Sequence, residues 1–472
     1  MISIGLTESG SAAAWDGGDQ PAVLEAIGRY VPPEAIAEVL GRTGRASGRV
    51  RKVPAMAVVW LVIAMGLWAD ADVRSVWRQV VGTLRTLLAA LAGTKLATKS
   101  ALSQARTRLG PRPLRQLLLA LSAPIATSAT HGAFYKGMRL MVIDSQKFYV
   151  PDTPVNRRAF GKSVARHTEH KTESAWPLVQ TIRLLEAGTH MTVDLLVKPQ
   201  RNHEYPFGST LLRRVGSSDL VLWDGGFYGY SLLKQACERG VAVLGWVGQH
   251  IIFDRIQIFE DGSYLARIYP TPTDRIARKG GLLVRVIDYT FDDPGRPGHG
   301  EPHRLITNLL DAARYPATEL IVLYHQRWEI EIANDEIVTH QLDRNVDLRS
   351  QTPAGVVQEL YGIHLAHNAV RALMHESALS VDLDPRQLSF IHAVRVIREA
   401  VPIMRAASTT QLPRLYAAMI QLMAQGRLPP RDGRINPRVV KVKQSHYLRK
   451  RPEHYHWPQP LRSFEHSVRV LN

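Results

Sequence analysis

Cysteine is almost missing from this chain: Cys237 is the only one in 472 residues. That excludes an intrachain disulfide and a zinc site built on cysteine pairs, and it suits a reducing cytoplasm. Acidic residues are in deficit, with 42 Asp and Glu against 59 Lys and Arg, a net charge of +17 and a pI of about 10.0. A surface of that sign attracts polyanions and releases counterions when it binds them. An anionic membrane competes as partner, but there is no lipidation motif and no secretory leader with a basic start and a cleavage site. Long apolar runs are scarce as well. Val53 to Ala69 is almost wholly apolar, yet it lies at the short end of the spanning range. Arg51-Lys52 precede it and Asp70 and Asp72 follow, so it reads as a buried helix. No internal repeat or low-complexity tract is present.

What is there is a chain with 45% apolar residues, enough for a sizeable core in two to four domains. Residues 1–130 show helical spacing through Val23-Leu24, Ile27, Tyr30 and Ile36–Leu40, then through 54–69 and 84–92. Within this part, Ser100 is placed to cap a short helix that ends at Gly110. Leu102, Ala105 and Leu109 would share one face. Lys99, Gln104 and Arg108 would share another, with Arg106 nearby, which suits a recognition helix against DNA. The plainer alternative is a solvated basic helix.

From about 138 the pattern becomes α/β. Apolar runs at 138–143, 177–185, 191–197, 219–223 and 241–246 read as strands, with helices near Leu211–Val215 and from Tyr228. The order β-β-β-α-β-α-β is that of a ribonuclease-H-like core. Residues 247–310 alternate and carry turn signals, which predicts a β-rich insertion. A long helix follows Pro316 and runs to about Gln341. The expected organisation is a helical N-terminal DNA-binding domain (1–130), a catalytic domain (131–342) and a helical C-terminal domain (343–472). The last ends in a basic tail, where residues 427–451 hold nine Lys or Arg, Lys441 and Lys443 among them, against one acid, Asp432. Such a tail suits contacts to a nucleic-acid backbone; a solvated tail is the other reading.

Three carboxylates stand out on this framework. Asp144 ends the run Met141-Val142-Ile143, and Asp224 ends Leu220-Val221-Leu222-Trp223. An acid at the carboxyl end of a buried strand projects past the sheet, and two neighbouring strands bring two carboxylates to one place. Glu331, on the long helix, supplies a third. Hard oxygen ligands suit Mg²⁺, and two such ions serve in-line phosphoryl transfer. Counting about 100° per residue from Tyr324 puts Arg327 near −60° and Glu331 near −20°, on one helix face. Arg327 would grip phosphate while Tyr324 packs on or hydrogen-bonds the DNA backbone. Asp335 is the rival third acid, one turn on. Asp152, between prolines, reads as a turn residue, and His167 and His170 sit in a basic loop that repels cations.

These residues resemble the IS4 type of cut-and-paste transposase, within the class that uses an Asp-Asp-Glu triad. Asp144-Ser-Gln-Lys-Phe-Tyr-Val-Pro-Asp152-Thr-Pro-Val-Asn156-Arg-Arg-Ala-Phe160-Gly161 resembles the segment around that family's first acid. Leu222-Trp-Asp224-Gly-Gly-Phe227-Tyr resembles the second. Tyr324, Arg327 and Glu331 match the start of its Y-x2-R-x3-E-x6-K signature. Ser100–Gly110 and Tyr361–Arg371 are similar to helical segments before and after the catalytic core, so the resemblance spans about residues 20–405. One position departs: the signature lysine falls on Val338, with Arg327 or Arg344 as substitutes for its charge.

The resemblance implies binding to terminal inverted repeats by a homodimer that pairs two DNA ends. It implies Asp144, Asp224 and Glu331 as ligands of two Mg²⁺ ions, with Mn²⁺ as a substitute, and a cytoplasmic, nucleoid-associated enzyme. It further implies nicking, a hairpin made by the freed 3′-hydroxyl, and joining to target DNA. Aromatic residues of the insertion would hold a flipped base near the hairpin, and Trp246 is a candidate. The alternatives are a related nuclease without strand transfer and a DNA-binding repressor that has lost catalysis.

Overall fold

The computed structural model describes residues 30–48, 53–84, 97–165, 172–296, 298–342, 348–429 and 460–471. Its strands are β1 (Phe134–Tyr135), β2 (Met138–Tyr149), β3 (Lys162–Ala165), β4 (Thr172–Glu186), β5 (Met191–Pro199), β6 (Asp219–Trp223), β7 (Ala242–Trp246), β8 (Asp254–Ile258), β9 (Tyr264–Ile268), β10 (Leu282–Phe291), β11 (His303–Thr307) and β12 (Val468–Val470). All join one mixed sheet. Across its middle the order is β5-β4-β2-β6-β7. β4 runs antiparallel to both β5 and β2, and β6 and β7 run parallel to β2.

The helices are α1 (Pro33–Arg42), α2 (Ala55–Leu67), α3 (Val73–Leu84), α4 (Lys99–Leu109), α5 (Arg112–Leu121), α6 (Pro154–Phe160), α7 (Tyr205–Leu211), α8 (Tyr230–Glu238), α9 (Pro272–Ile276), α10 (Ala317–Tyr324), α11 (Glu329–Asp335), α12 (Pro353–Leu379), α13 (Phe390–Ala406), α14 (Leu412–Gln425) and α15 (Phe464–Ser467). Leu140 and Val142 of β2 are buried towards α10 and α11, whereas Met141 and Ile143 are buried towards α7 and α8. Helices on both faces explain why this strand reads as an unbroken apolar run. The sequence-based helix at Leu211–Val215 is the tail of α7 followed by a 3₁₀ turn, Leu212–Arg214.

The insertion is β-rich, and it extends the central sheet. β11 pairs antiparallel with β7, and β10, β9 and β8 follow outward. β12, from the far C-terminus, pairs with β10. The single long helix anticipated after Pro316 changes its winding three times. α10 is followed by a 3₁₀ turn, His325–Trp328, then α11, then a π-helical segment, Glu336–Gln341. Mid-helix 3₁₀ stretches and π-bulges are frequent at functional sites.

The Val53–Ala69 run forms α2, with every residue from Ala57 to Leu67 buried. No helix among the described residues is long and apolar enough to cross a membrane. α2 shares one apolar core with α12, α13 and α14, so helices from the first and last parts of the chain pack together. Two glycines allow the α2–α12 approach. A Cβ on Gly362 would lie 2.5 Å from the Val62 carbonyl oxygen, and one on Gly66 would lie 3.0 Å from the Ile363 Cα. Gly362→Ala should therefore cost about 1–3 kcal/mol through overpacking, read as a lower denaturation midpoint. An unchanged midpoint would mean that the two helices separate freely.

Candidate active site

Asp144 and Asp224 meet because β2 and β6 are parallel neighbours. Their register pairs Ile143 with Trp223; Asp144 follows within β2, and Asp224 follows one residue past the end of β6. Asp144 Oδ1 accepts the Ser145 N–H at 2.7 Å, and Asp224 Oδ1 accepts the Gly226 N–H at 3.0 Å, capping a 3₁₀ turn. Burial pushes the Asp144 carboxyl up to about 7, against the pull of the Ser145 N–H. The Asp224 and Glu204 carboxylates raise it further, while Arg327 lowers it. A partly buried acid facing other acids is short of positive charge, which is the condition that a divalent cation relieves.

Glu331 is placed differently. Its Oε1 accepts a hydrogen bond from Arg327 at 3.1 Å, and Arg327 also faces Asp144. The guanidinium lies 5.9 Å from the centre of the Tyr324 ring. The three signature residues therefore share a face, even though the 3₁₀ turn interrupts the helix. Burial opposes the Arg327 charge, but Tyr324, Glu331 and Asp144 outweigh it and raise its pKa. Among the described residues, no three His, Cys, Asp or Glu side chains are gathered closely enough to hold a metal together. Asp144 and Asp224 fit a cation by their chemistry, whereas Glu331 is bonded to Arg327.

The Tyr324 hydroxyl donates to the Trp223 carbonyl at 3.1 Å, so it ties α10 to the end of β6. That corrects the anticipated hydrogen bond from Tyr324 to DNA. Arg106 is a second correction. Its guanidinium donates to Ser350 Oγ at 2.9 Å, to the Gly355 carbonyl at 3.1 Å and to Gln358 Oε1 at 3.3 Å, which joins α4 to α12. Thr98, not Ser100, caps α4. Arg108 is exposed. Arg106→Ala should therefore lower the melting temperature, while Arg108→Ala should weaken DNA binding at an unchanged melting temperature. A reversed pattern would restore Arg106 to the DNA surface.

Val338 packs against an apolar cluster around Ile337, Leu342 and Phe148, so no cation stands at the signature lysine position. Asp335, the rival acid, is exposed and accepts from Thr339. Asp152 pairs with Arg157 and Lys162, as suits a surface turn. Lys441, Lys443, Arg344, His167 and His170 lie outside the described residues. The tail's flanks are held, however. Leu388 bridges Arg427 on one side, and Asp293 accepts the Leu461 and Arg462 N–H groups on the other.

Sequence reasoning missed Glu204. Ser145 Oγ donates to it, and a methyl on Gly226 would collide with its Oε1. An acid ahead of a short helix gave no signal beyond that of a helix start. Trp246 covers Gly225, where an added Cβ would meet its ring. Tyr324 and Arg327 also line a cavity, together with Tyr289, Phe291, Trp328 and Phe464.

Known proteins resemble this chain along most of its length. Residues 21–118 match the family described as insertion element 4 transposase N-terminal, and residues 135–369 match the transposase DDE domain. The transposase InsG for insertion sequence element IS4, from Escherichia coli (strain K12), is 29% identical over 429 residues. That alignment covers 90% of this chain and 93% of InsG. A solved synaptic complex of piggyBac transposase with hairpin DNA is 12% identical, with a TM-score of 0.40 over 86% of each chain, a likeness too coarse to bear on the fold.

Proposed function

Because this chain belongs to the IS4-type DDE transposases, enzymes that move DNA, we propose that it binds the terminal inverted repeats of its element and cuts and joins them at Asp144, Asp224 and Glu331. The observation that supports this reading is the parallel β2–β6 register, which brings Asp144, within β2, next to Asp224, one residue past the end of β6. The β5-β4-β2-β6-β7 order supports a ribonuclease-H-like core. Two Mg²⁺ ions, replaceable by Mn²⁺, would supply activation of the attacking oxygen and stabilisation of the leaving one.

The chain's own groups do the rest. Arg327 holds Glu331 back until a DNA phosphate offers the guanidinium a better partner. Glu331, released from Arg327, then turns to the aspartate pair. Tyr324 keeps α10 fixed to the end of β6, so Arg327 stays in reach. The aromatic cavity beside Arg327 suits an unstacked base, since stacking on side chains holds any base. Arg108, Lys441 and Lys443 would contact DNA backbone, and a homodimer would hold two ends together at the nucleoid.

The test is the purified protein with DNA carrying the element's ends and Mg²⁺. Joined products are expected. Cut products alone would assign a nuclease without strand transfer, and shifted bands alone a repressor.

A further inference from the structure

The helical run that carries Arg327 and Glu331 is fastened by buried polar groups as well as by apolar packing. Glu336, where α11 meets the π segment, is 5% exposed. Its Oε1 lies 3.1 Å from His190 Nδ1 and 3.4 Å from an Arg371 guanidinium nitrogen, and its Oε2 lies 3.0 Å from His367 Nε2. His190 is fully buried in the β4–β5 turn, at a φ of 59°. Its other ring nitrogen lies 2.9 Å from Glu329 Oε2. One imidazole thus links two carboxylates that bracket Glu331. Arg371 of α12 donates through Nε to the Thr189 carbonyl at 2.7 Å, closing the connection to the same turn.

A second fastening lies between them in sequence. Asn334 Oδ1 accepts from Arg183 at 2.6 Å, and the Asn334 carbonyl accepts from Gln146 Nε2 at 3.1 Å. Arg183 is the cross-strand partner of Asp144, and Gln146 lies two residues beyond it on β2. The stretch from Glu329 to Glu336 is therefore bound to the residues that flank Asp144. Apolar contacts tolerate small slides and rotations. A buried carboxylate between a guanidinium and two imidazoles does not, because each lost partner leaves a charge uncompensated.

We propose that Glu336 and His190 are positioning residues, whose linkage through Glu329 sets the height and rotation of Glu331 relative to Asp144. The proposal rests on the reading of Glu331 as a member of the catalytic set. Neither residue touches the reacting atoms. A displacement of about 1 Å at such a distance from the chemistry is enough to cost roughly a hundredfold in rate.

The test uses Glu336→Gln and, because that change strands the charge of Arg371, also His190→Asn, whose side chain tolerates the left-handed backbone. Amide hydrogen exchange is measured on the full chain without DNA or metal. Exchange over residues 329–341 should quicken tenfold or more, with β2 and β6 unchanged. Cleavage should fall about a hundredfold and half-maximal cleavage should need about ten times more Mg²⁺, with DNA-end affinity held within twofold. The double variant should fall no further than the worse single one. Unchanged exchange across 329–341 would overturn the proposal. So would a lowered melting temperature with an unaltered Mg²⁺ requirement. Quickened exchange in a protein whose wild type cuts no DNA would uphold the fastening and remove the catalytic reading instead.

Discussion

Asparagine at Asp144 or Asp224, or glutamine at Glu331, leaves DNA-end binding intact and removes strand cleavage by about a thousandfold or more. Stabilising the displaced phosphate oxygens is worth several kcal/mol in a metal-dependent site, and each 1.4 kcal/mol is about a tenfold change in rate. The substitutions keep the side-chain volume, so folding gives no competing explanation. The Glu331 variant separates two readings, because Glu331 is bonded to Arg327 while the aspartates already face one another. Asp335→Asn is the control: that side chain is exposed and turned to Thr339. Band shifts and cleavage assays on end DNA decide the matter. Normal cleavage by Glu331→Gln, with loss in Asp335→Asn, would move the third acid one turn along the helix.

Asp224 was legible because β6, buried on both faces, writes its length as an apolar run that the aspartate ends; Asp144 stood out by the same break in apolarity, but it does not end its strand, since β2 runs on to Tyr149 through less buried, mostly polar residues. The signature Tyr324-Arg327-Glu331 was legible because it repeats at helical spacing. The changes of winding around it were not. They follow from where Glu336 and Gln341 find buried partners, in the β4–β5 turn and at the Ile363 carbonyl, far away in sequence. The same holds for Arg106. On its helix it looks like any basic surface residue, and only the docking of α12 gives its guanidinium three acceptors. Glu204 was hidden for a related reason: its partner, Ser145, and its close neighbour, Gly226, belong to two segments far from it in sequence.

The raised Asp144 carboxyl makes the metal-free protein less stable as pH rises. Its folded pKa is about 7 against 3.8 for an ordinary aspartate, with burial as the largest cause. Between those values the folded chain keeps a proton that the unfolded chain has lost. The stabilising contribution is complete below about pH 4 and is lost as pH climbs through 7. A shift of that size at a partly exposed carboxyl corresponds to a loss on the order of 2–4 kcal/mol after solvent screening. Asp144→Asn has no such proton, so it should match the wild type near pH 4 and exceed it at pH 8 in denaturant titrations with chelator present. Mg²⁺ should reverse the order at pH 8, since a cation stabilises the charged aspartates and has less to gain from asparagine. Below pH 7 cation binding must expel the Asp144 proton, so the half-saturating Mg²⁺ concentration should rise about tenfold per pH unit. Superimposable pH–stability curves for the two proteins would show that Asp144 is already ionised in the metal-free fold, and the charge deficit argued for the strand ends would then have to reside elsewhere.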